Sequence, residues 1–291
     1  MNPKVLISGS TGQLGQELFL IKDLFHNYDL LFFDRNAWNI SNVDQTKALI
    51  LEHRPTFIIN CAAFTAVDLA EDQADQAFLI NSEAVKTLAD YCHEYNIFLI
   101  HISTDYVFHG TNAIALKENS IKNPQGIYAK SKSLGEDYII DSKCMHIILR
   151  TSWVYSQFGN NFVKTMLRLG ATRKELAVVN DQNGCPTHAA SIALFIAYLL
   201  QHYKLETLQE KAGIYHYSDS NPTNWFEFAN KIFEIAAMDV KVNAISTVEF
   251  NAKAPRPLFS ILDTQKLQNT FNYKIHDWDL ELNKCMRLLN V

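Results

Sequence analysis

The stretch Lys4-Val5-Leu6-Ile7-Ser8-Gly9-Ser10-Thr11-Gly12-Gln13-Leu14-Gly15 decides the fold. Residues 5–7 form a short apolar run of the kind a buried strand needs. Glycines follow at i, i+3 and i+6, and residues 13–24 read as a helix entered through them. Glycines allow a tight turn and let a pyrophosphate approach the backbone. The helix N-terminus supplies N–H donors and a partial positive charge. On this reading Gly9, Thr11, Gly12, Gln13, Leu14 and Gly15 bind a dinucleotide. The spacing is G-x-x-G-x-x-G rather than G-x-G-x-x-G. Its place between the first strand and the first helix carries the reading.

Outward from this loop the pattern alternates. Residues 30–33, 57–60, 97–102 and 146–150 read as strands. Residues 43–53, 74–95 (one or two helices) and 127–140 read as helices, the first with Asn42 or Ser41 as N-cap. Short continuous apolar strands separated by helices imply an α/β fold with a parallel sheet covered on both faces. That is a doubly wound, Rossmann-like dinucleotide-binding fold. Beyond Ser152 turn signals crowd in, at 181–186, 220–222 and 254–257. Residues 1–151 are therefore expected to form the dinucleotide-binding domain. Residues 152–291 are expected to form mostly a smaller substrate-binding lobe, with a helix over 188–202 returning to the sheet. Residues 162–169 and 225–237 read as helical, and 176–179 and 214–217 as extended.

Bulk properties exclude several classes. With 48% hydrophobic and 20% charged residues in a chain of 291, this is an ordinary globular composition. A net charge of −5 gives no reason to expect a nucleic-acid partner or an acidic membrane surface. No apolar run approaches the ~20 residues of a membrane span, and Met1-Asn2-Pro3-Lys4 leads straight into a strand. The five cysteines are scattered, odd in number and partly inside apolar runs, which suits reduced, buried thiols and a cytoplasmic protein.

The chemistry is concentrated in a few residues. Asp34 and Arg35 close the second strand, where an acid suits the adenosine ribose of NAD and an Arg the 2′-phosphate of NADP. The choice between NADH and NADPH stays open. In Asn60-Cys61-Ala62-Ala63-Phe64-Thr65, small residues allow a cofactor to lie across the sheet edge, with Ala62, Ala63 and Thr65 against it. In Gly126-Ile127-Tyr128-Ala129-Lys130-Ser131-Lys132, Tyr128 and Lys132 stand at i and i+4 and share a helix face. An ammonium beside a phenol favours phenolate and lowers its pKa. Thr104, ending Ile100-His101-Ile102-Ser103-Thr104, can hydrogen-bond the reacting oxygen. A nucleotide loop, then Thr104, then Tyr128 and Lys132, are the parts needed to move a hydride to or from a carbon–oxygen centre.

Longer stretches are more specific still. The Ser8 to Gly15 loop, Asn60 to Asp68, Ser103-Thr104-Asp105-Tyr106-Val107-Phe108, Tyr128 to Lys132, Arg150-Thr151-Ser152-Trp153-Val154-Tyr155, Asn161 to Met166, Asp181 to Thr187 and Arg256 to Asp263 span nearly the whole chain. Together they resemble the dTDP-4-dehydrorhamnose reductase family of the extended short-chain dehydrogenase/reductase superfamily. The resemblance implies reduction, by NADPH or NADH, of the C4 keto group of dTDP-4-dehydro-L-rhamnose. In it Thr104 would orient the carbonyl, Tyr128 would protonate the product oxygen, and Lys132 would tune Tyr128 and hold the nicotinamide ribose. It places Asp105, Tyr106 and Trp153 at the sugar and Arg256 near the nucleotide-sugar, where a guanidinium suits a diphosphate. It places Asn39 and Ile40 near the adenine. It also implies a homodimer, in some members with Mg²⁺ at the interface; no metal-ligand cluster with telling spacing is present, so no catalytic metal is expected. The chain departs from the family pattern at His109, at Asn39-Ile40-Ser41 and at Leu69.

Two other readings remain. A related nucleotide-sugar epimerase would share the catalytic set, whereas a 4,6-dehydratase would need an acid where Tyr106 stands. A non-catalytic NADP-binding regulatory subunit, similar to that of methionine adenosyltransferase, would also keep Tyr128 and Lys132.

Overall fold

Strands that are apolar on every position need cover on both faces, and they find it here. The computed structural model describes residues 2–110 and 113–290. β1 (Lys4–Ser8), β2 (Asp29–Phe33), β3 (Phe57–Asn60), β4 (Phe98–Thr104), β5 (His146–Thr151) and β6 (Gly213–His216) form one parallel sheet in the order β2-β1-β3-β4-β5-β6. The order reverses between β1 and β3, which opens a crevice at the C-terminal strand ends, the place where such sheets bind ligands.

Because side chains alternate along a strand, each strand feeds two cores. Val5, Ile7, Phe57, Ile59, Ile100 and Leu149 pack with α1 (Gln13–Leu20) through Leu14 and Leu18. Leu6, Ile58, Leu99 and Ile148 pack on the other face against α2 (Val43–His53) and the helices that follow it. The Asn42 side chain caps α2 by accepting from Gln45 N–H at 3.0 Å. The first helix is shorter than its sequence suggests. It ends at Leu20, and a 3-10 turn over Lys22–Leu24 brings Phe25 into the core at 2% exposure.

The segment at 74–95 is three pieces in series: α3 (Ala74–Phe78), a π turn (Leu79–Glu83) and α4 (Ala84–Glu94). Inserted π turns occur often at functional sites, and this one has a local cause. It meets α5 (Gly126–Ser142) where Gly135 passes so close that a Cβ there would overlap the Asn81 carbonyl. The bulge turns the Asn81 side chain onto both backbone groups of Phe64 (2.8 and 3.0 Å) and onto Ser131 Oγ (3.1 Å). The loop after β3 is thereby clamped to α5.

The C-terminal half has its own core. Val163 and Met166 from α6 (Phe162–Gly170), Leu176 and Val178, and the apolar faces of two later helices surround Tyr155. Helix α7 (Ala189–His202) packs Ile192, Phe195, Ile196 and Leu199 beside α1. The extended run near 214–217 is the edge strand β6, paired with β5, and Leu208, Leu267 and Phe271 support the same core. The second half thus contributes a strand as well as a helix to the sheet. α8 (Trp225–Ile235) and α9 (Trp278–Leu288) complete the smaller lobe. Four cysteines are buried, Cys61 is partly so, and all are free thiols. Among the described residues no helix is long and apolar enough to cross a membrane.

Asp219 sits at the seam between sheet and lobe with no exposure. Burial pushes its carboxyl up to about 8, although the His188 N–H, which donates to it at 2.8 Å, pulls the other way. Folded and unfolded chains both hold this proton below the ordinary pKa of about 4, and neither holds it well above 8. Between these values only the folded chain keeps it, so the contribution of Asp219 to stability falls as pH rises through this window. Asp219→Asn is therefore expected to gain in melting temperature relative to wild type as pH rises from about 4 to about 8. Parallel melting curves at several pH values would check this, and a constant difference would rule it out.

Candidate active site

The glycine loop folds as its spacing requires. Gly9 has φ +68, and a Cβ there would lie 2.8 Å from Ala62 N, so only glycine fits. Gly15 passes so close that a Cβ would be 2.5 Å from Gly9 O. Gly12 caps α1 with no side-chain hydrogen bond, which leaves the helix N-terminus open to an anion. The residues present fit a dinucleotide diphosphate. Thr11 is exposed beside this opening, and Leu14 turns its side chain into the core. Gln13 spans to the second lobe, donating to Val154 O at 3.4 Å and accepting from Asn161 Nδ2 at 2.9 Å.

Asp34 directly follows β2 and accepts from Asn36 and Ala37 N–H at 2.9 and 2.8 Å through one oxygen. The neighbouring Arg35 is exposed. Asn39 accepts from Ser41 Oγ at 2.8 Å, while Ile40 packs its side chain in the core with 5% exposure. Ala62 and Ala63 are partly buried and Thr65 is exposed, on the loop that Gly9 touches.

The sheet and α5 bring Thr104, Tyr128 and Lys132 to one edge. Thr104 is the last residue of β4, Asp105 Oδ1 accepts from its hydroxyl at 3.1 Å, and both side chains are buried. Tyr106 meets the Tyr128 ring edge-on at 5.6 Å between centroids. The sequence reading expects Lys132 to depress the Tyr128 pKa, and here the structure corrects it. Burial pushes the phenol up to about 12, Thr104 pulls it back in part, and the nearby Asp105 adds to the rise. The reason is geometric. Lys132 Nζ turns beneath the site, 2.7 Å from Ile102 O and 3.1 Å from His101 Nε2. Its own pKa falls to about 8 through burial, with Glu136 opposing. A phenol that keeps its proton at neutral pH is suited to donate one.

Around this set, Asp105 is pushed up to about 6 by burial, with the Ser260 and Thr104 hydroxyls opposing. Arg256 lies near Tyr106, but Asp68 holds it at 2.7 Å. Trp153 has a left-handed backbone (φ 47), a strained state for an aromatic residue and one that concentrates at functional sites. Its ring stacks on Trp225 at 3.7 Å, and a Cβ at Gly184 would strike the ring at 2.6 Å. Sequence reasoning passed over four residues that build this site: Asp68, Asn81, Trp225 and Glu71. Glu71 accepts from Ile127 N–H at 2.8 Å and so caps α5 one residue before Tyr128. Asp68 lies inside a stretch the family resemblance already used; the other three carry no local signal. Among the described residues no group of three or more His, Cys, Asp or Glu is arranged to hold a metal ion.

An open glycine-lined helix end, a topological switch point and a Thr–Tyr–Lys set in which Thr104 and Lys132 are buried and Tyr128 partly so define a nicotinamide-dependent oxidoreductase. More narrowly, the chain belongs to the family described as the RmlD substrate binding domain, whose model matches residues 3–291. It is 39% identical over 286 residues to a dTDP-4-dehydrorhamnose reductase of Aggregatibacter actinomycetemcomitans, covering 96% of this chain and 97% of that one. It is 36% identical to the enzyme of that name from Escherichia coli K12, covering 98% and 97%. Among solved structures, dTDP-4-dehydrorhamnose reductase from Bacillus anthracis in complex with NADP superposes with a TM-score of 0.91 at 38% identity, covering 98% of this chain and 99% of that one. A Clostridium acetobutylicum dTDP-4-dehydrorhamnose reductase superposes with a TM-score of 0.92 at 36% identity, covering 99% and 100%.

Proposed function

We propose that the chain reduces the C4 keto group of dTDP-4-dehydro-L-rhamnose to give dTDP-L-rhamnose, with NADPH preferred over NADH. The observation that carries this is a phenol, Tyr128, kept protonated by burial beside the Thr104 hydroxyl at the C-terminal edge of the sheet. Names of relatives that share nearly the full chain support the substrate, and exposed Arg35 beside Asp34 suits a 2′-phosphate.

Bound NADPH supplies the hydride. The glycine loop and the N-terminus of α1 hold its diphosphate, Asp34 and Arg35 its adenosine end, and Lys132 the nicotinamide ribose. Thr104 orients the carbonyl oxygen, and Tyr128 gives its proton to that oxygen as negative charge develops there. Asp105, Tyr106 and Trp153 line the sugar. Arg256 takes the diphosphate of the nucleotide-sugar in exchange for Asp68. The reading includes a cytoplasmic location and, as the family resemblance implies, a homodimer, which light scattering would test. The deciding experiment is oxidation of NADPH and of NADH with the keto sugar nucleotide generated in situ. Oxidation that requires the sugar and is faster with NADPH supports the reading. No oxidation despite dinucleotide binding refutes it.

A further inference from the structure

Tyr128 stands in the first turn of α5, which begins at Gly126. Helix ends fray, because the first N–H groups of a helix have no partner within it. A phenol there keeps its place only if something outside the helix holds the turn. The residue at the capping position does not. Gln125 makes no side-chain capping bond, and its amide donates instead to Asn123 Oδ1 at 2.8 Å. The acceptor comes from 56 residues away: Glu71 Oε1 takes the Ile127 N–H at 2.8 Å.

The backbone is shaped around this contact. Gly126 has φ +74, and a Cβ there would lie 2.8 Å from Glu71 Oε1 and 3.2 Å from Pro255 Cδ. Glycine at 126 therefore lets the carboxylate reach past it to Ile127. Glu71 is itself held. It follows a helical turn over Val67–Ala70, in which Ala70 is buried and Asp68 accepts from the Ala254 N–H at 3.0 Å and pairs with Arg256 at 2.7 Å. Further along α5 the anchors are different. Ser131 Oγ donates to Tyr128 O at 2.9 Å and accepts from Asn81 at 3.1 Å, and Ser131 O accepts from Ser82 Oγ at 3.1 Å. The helix is thus gripped at Ile127 and at Ser131, and Tyr128 lies between. Losing the first grip would free the turn that carries the phenol and leave the rest of α5 in place.

We propose that Glu71 is a positioning residue for Tyr128: it caps α5 from outside the helix and fixes the first turn, so that the phenol stays beside the Thr104 hydroxyl. Glu71 acts through an acceptor oxygen, which fixes direction, and through negative charge, which a helix N-terminus favours without fixing direction. Positioning needs only the oxygen. Glu71→Gln keeps that oxygen and drops the charge, whereas Glu71→Ala removes both. The two variants therefore separate a held geometry from general electrostatics.

The consequence for turnover rests on the reductase reading, so the first arm of the test needs no substrate. In ¹⁵N-labelled wild-type protein the Ile127 amide should be protected from hydrogen exchange. In Glu71→Ala it should exchange at least about fivefold faster, as loss of a helix cap implies, while amides from Lys132 to Ile139 keep their rates. The Tyr128 ring packs edge-on to Tyr106 at 5.6 Å, which makes its resonance sensitive to position. In ¹³C-tyrosine-labelled protein, assigned by its loss in Tyr128→Phe, that signal should shift in Glu71→Ala and return in Glu71→Gln. The second arm is turnover. A misplacement of about 1 Å can cost about 10²-fold, so partial fraying in Glu71→Ala should lower kcat about 10-fold with KM for NADPH within about twofold. Glu71→Gln should recover most of that loss. A Tyr128 signal that does not move, or a Gln variant as slow as the Ala variant, overturns the proposal. An unprotected Ile127 amide in wild type overturns it even if neither variant folds. Wild type without turnover refutes the reductase reading alone, and the first arm then decides.

Discussion

Tyr128→Phe is expected to lower turnover about 10²–10⁴-fold, the usual range for removing a general acid, while NADPH binding stays nearly intact. The ring remains, so its edge contact with Tyr106 at 5.6 Å is kept, and only the O–H is lost. The direction of the reaction sharpens the expectation. Burial holds the phenol near 12, so at neutral pH nearly every molecule carries the proton that reduction consumes. Oxidation of the alcohol would start from phenolate, which the same burial makes scarce. Wild-type reduction should therefore show no acid–base limb from Tyr128 between pH 6 and 9, and the variant should be slow at every pH. Steady-state rates with NADPH, together with NADPH titration by fluorescence, check both parts. Unchanged turnover would remove Tyr128 from the chemistry.

The fold was legible because its signals are local. Apolar runs of strand length, a glycine loop and helical spacing each declare themselves within about ten residues. The Tyr128–Lys132 spacing likewise implied a shared helix face, and both do lie on α5. What the helix period cannot supply is the partner across the sheet. Lys132 was expected to act on Tyr128, its neighbour along the helix, but it turns to His101 and Ile102, about 30 residues away in sequence. Arg256 was expected from the family resemblance near a diphosphate, but its ion pair with Asp68 joins residues 188 apart and had no local sign. The run at 214–217 was legible as extended, but its pairing with β5 was not, because Gly213–His216 sits in turn-rich sequence and carries no sign of its partner strand. The π turn was invisible for another reason. It depends on a glycine in α5, Gly135, meeting the backbone of a helix some 50 residues earlier.

The largest expected loss of stability comes from Arg150→Ala, a residue that does not face the cleft. Arg150 is 2% exposed and Glu136 not at all, and the pair is bidentate at 2.9 and 2.7 Å. The guanidinium also donates to Glu118 O at 3.1 Å and covers the Phe108 ring at 4.9 Å. Truncation leaves the Glu136 carboxylate buried with Ser103 Oγ and the more distant Lys122 (3.7 Å) as its remaining partners. Breaking a buried pair from one side costs about 3–5 kcal/mol, a large share of the roughly 5–15 kcal/mol that holds a domain together. Replacing both partners with apolar residues of similar volume is often far less harmful. Arg150→Met combined with Glu136→Leu should therefore lose less in denaturation midpoint than Arg150→Ala alone. Tyr128, Lys132 and Glu136 recur at four-residue intervals along one face of α5, so the anchor sets where that face stands relative to β4. Arg150→Ala should accordingly lower kcat even at temperatures where the variant is fully folded. If the single variant melts like wild type, the ion pair contributes nothing net, and α5 is held by its apolar contacts and by the Asn81–Ser131 clamp.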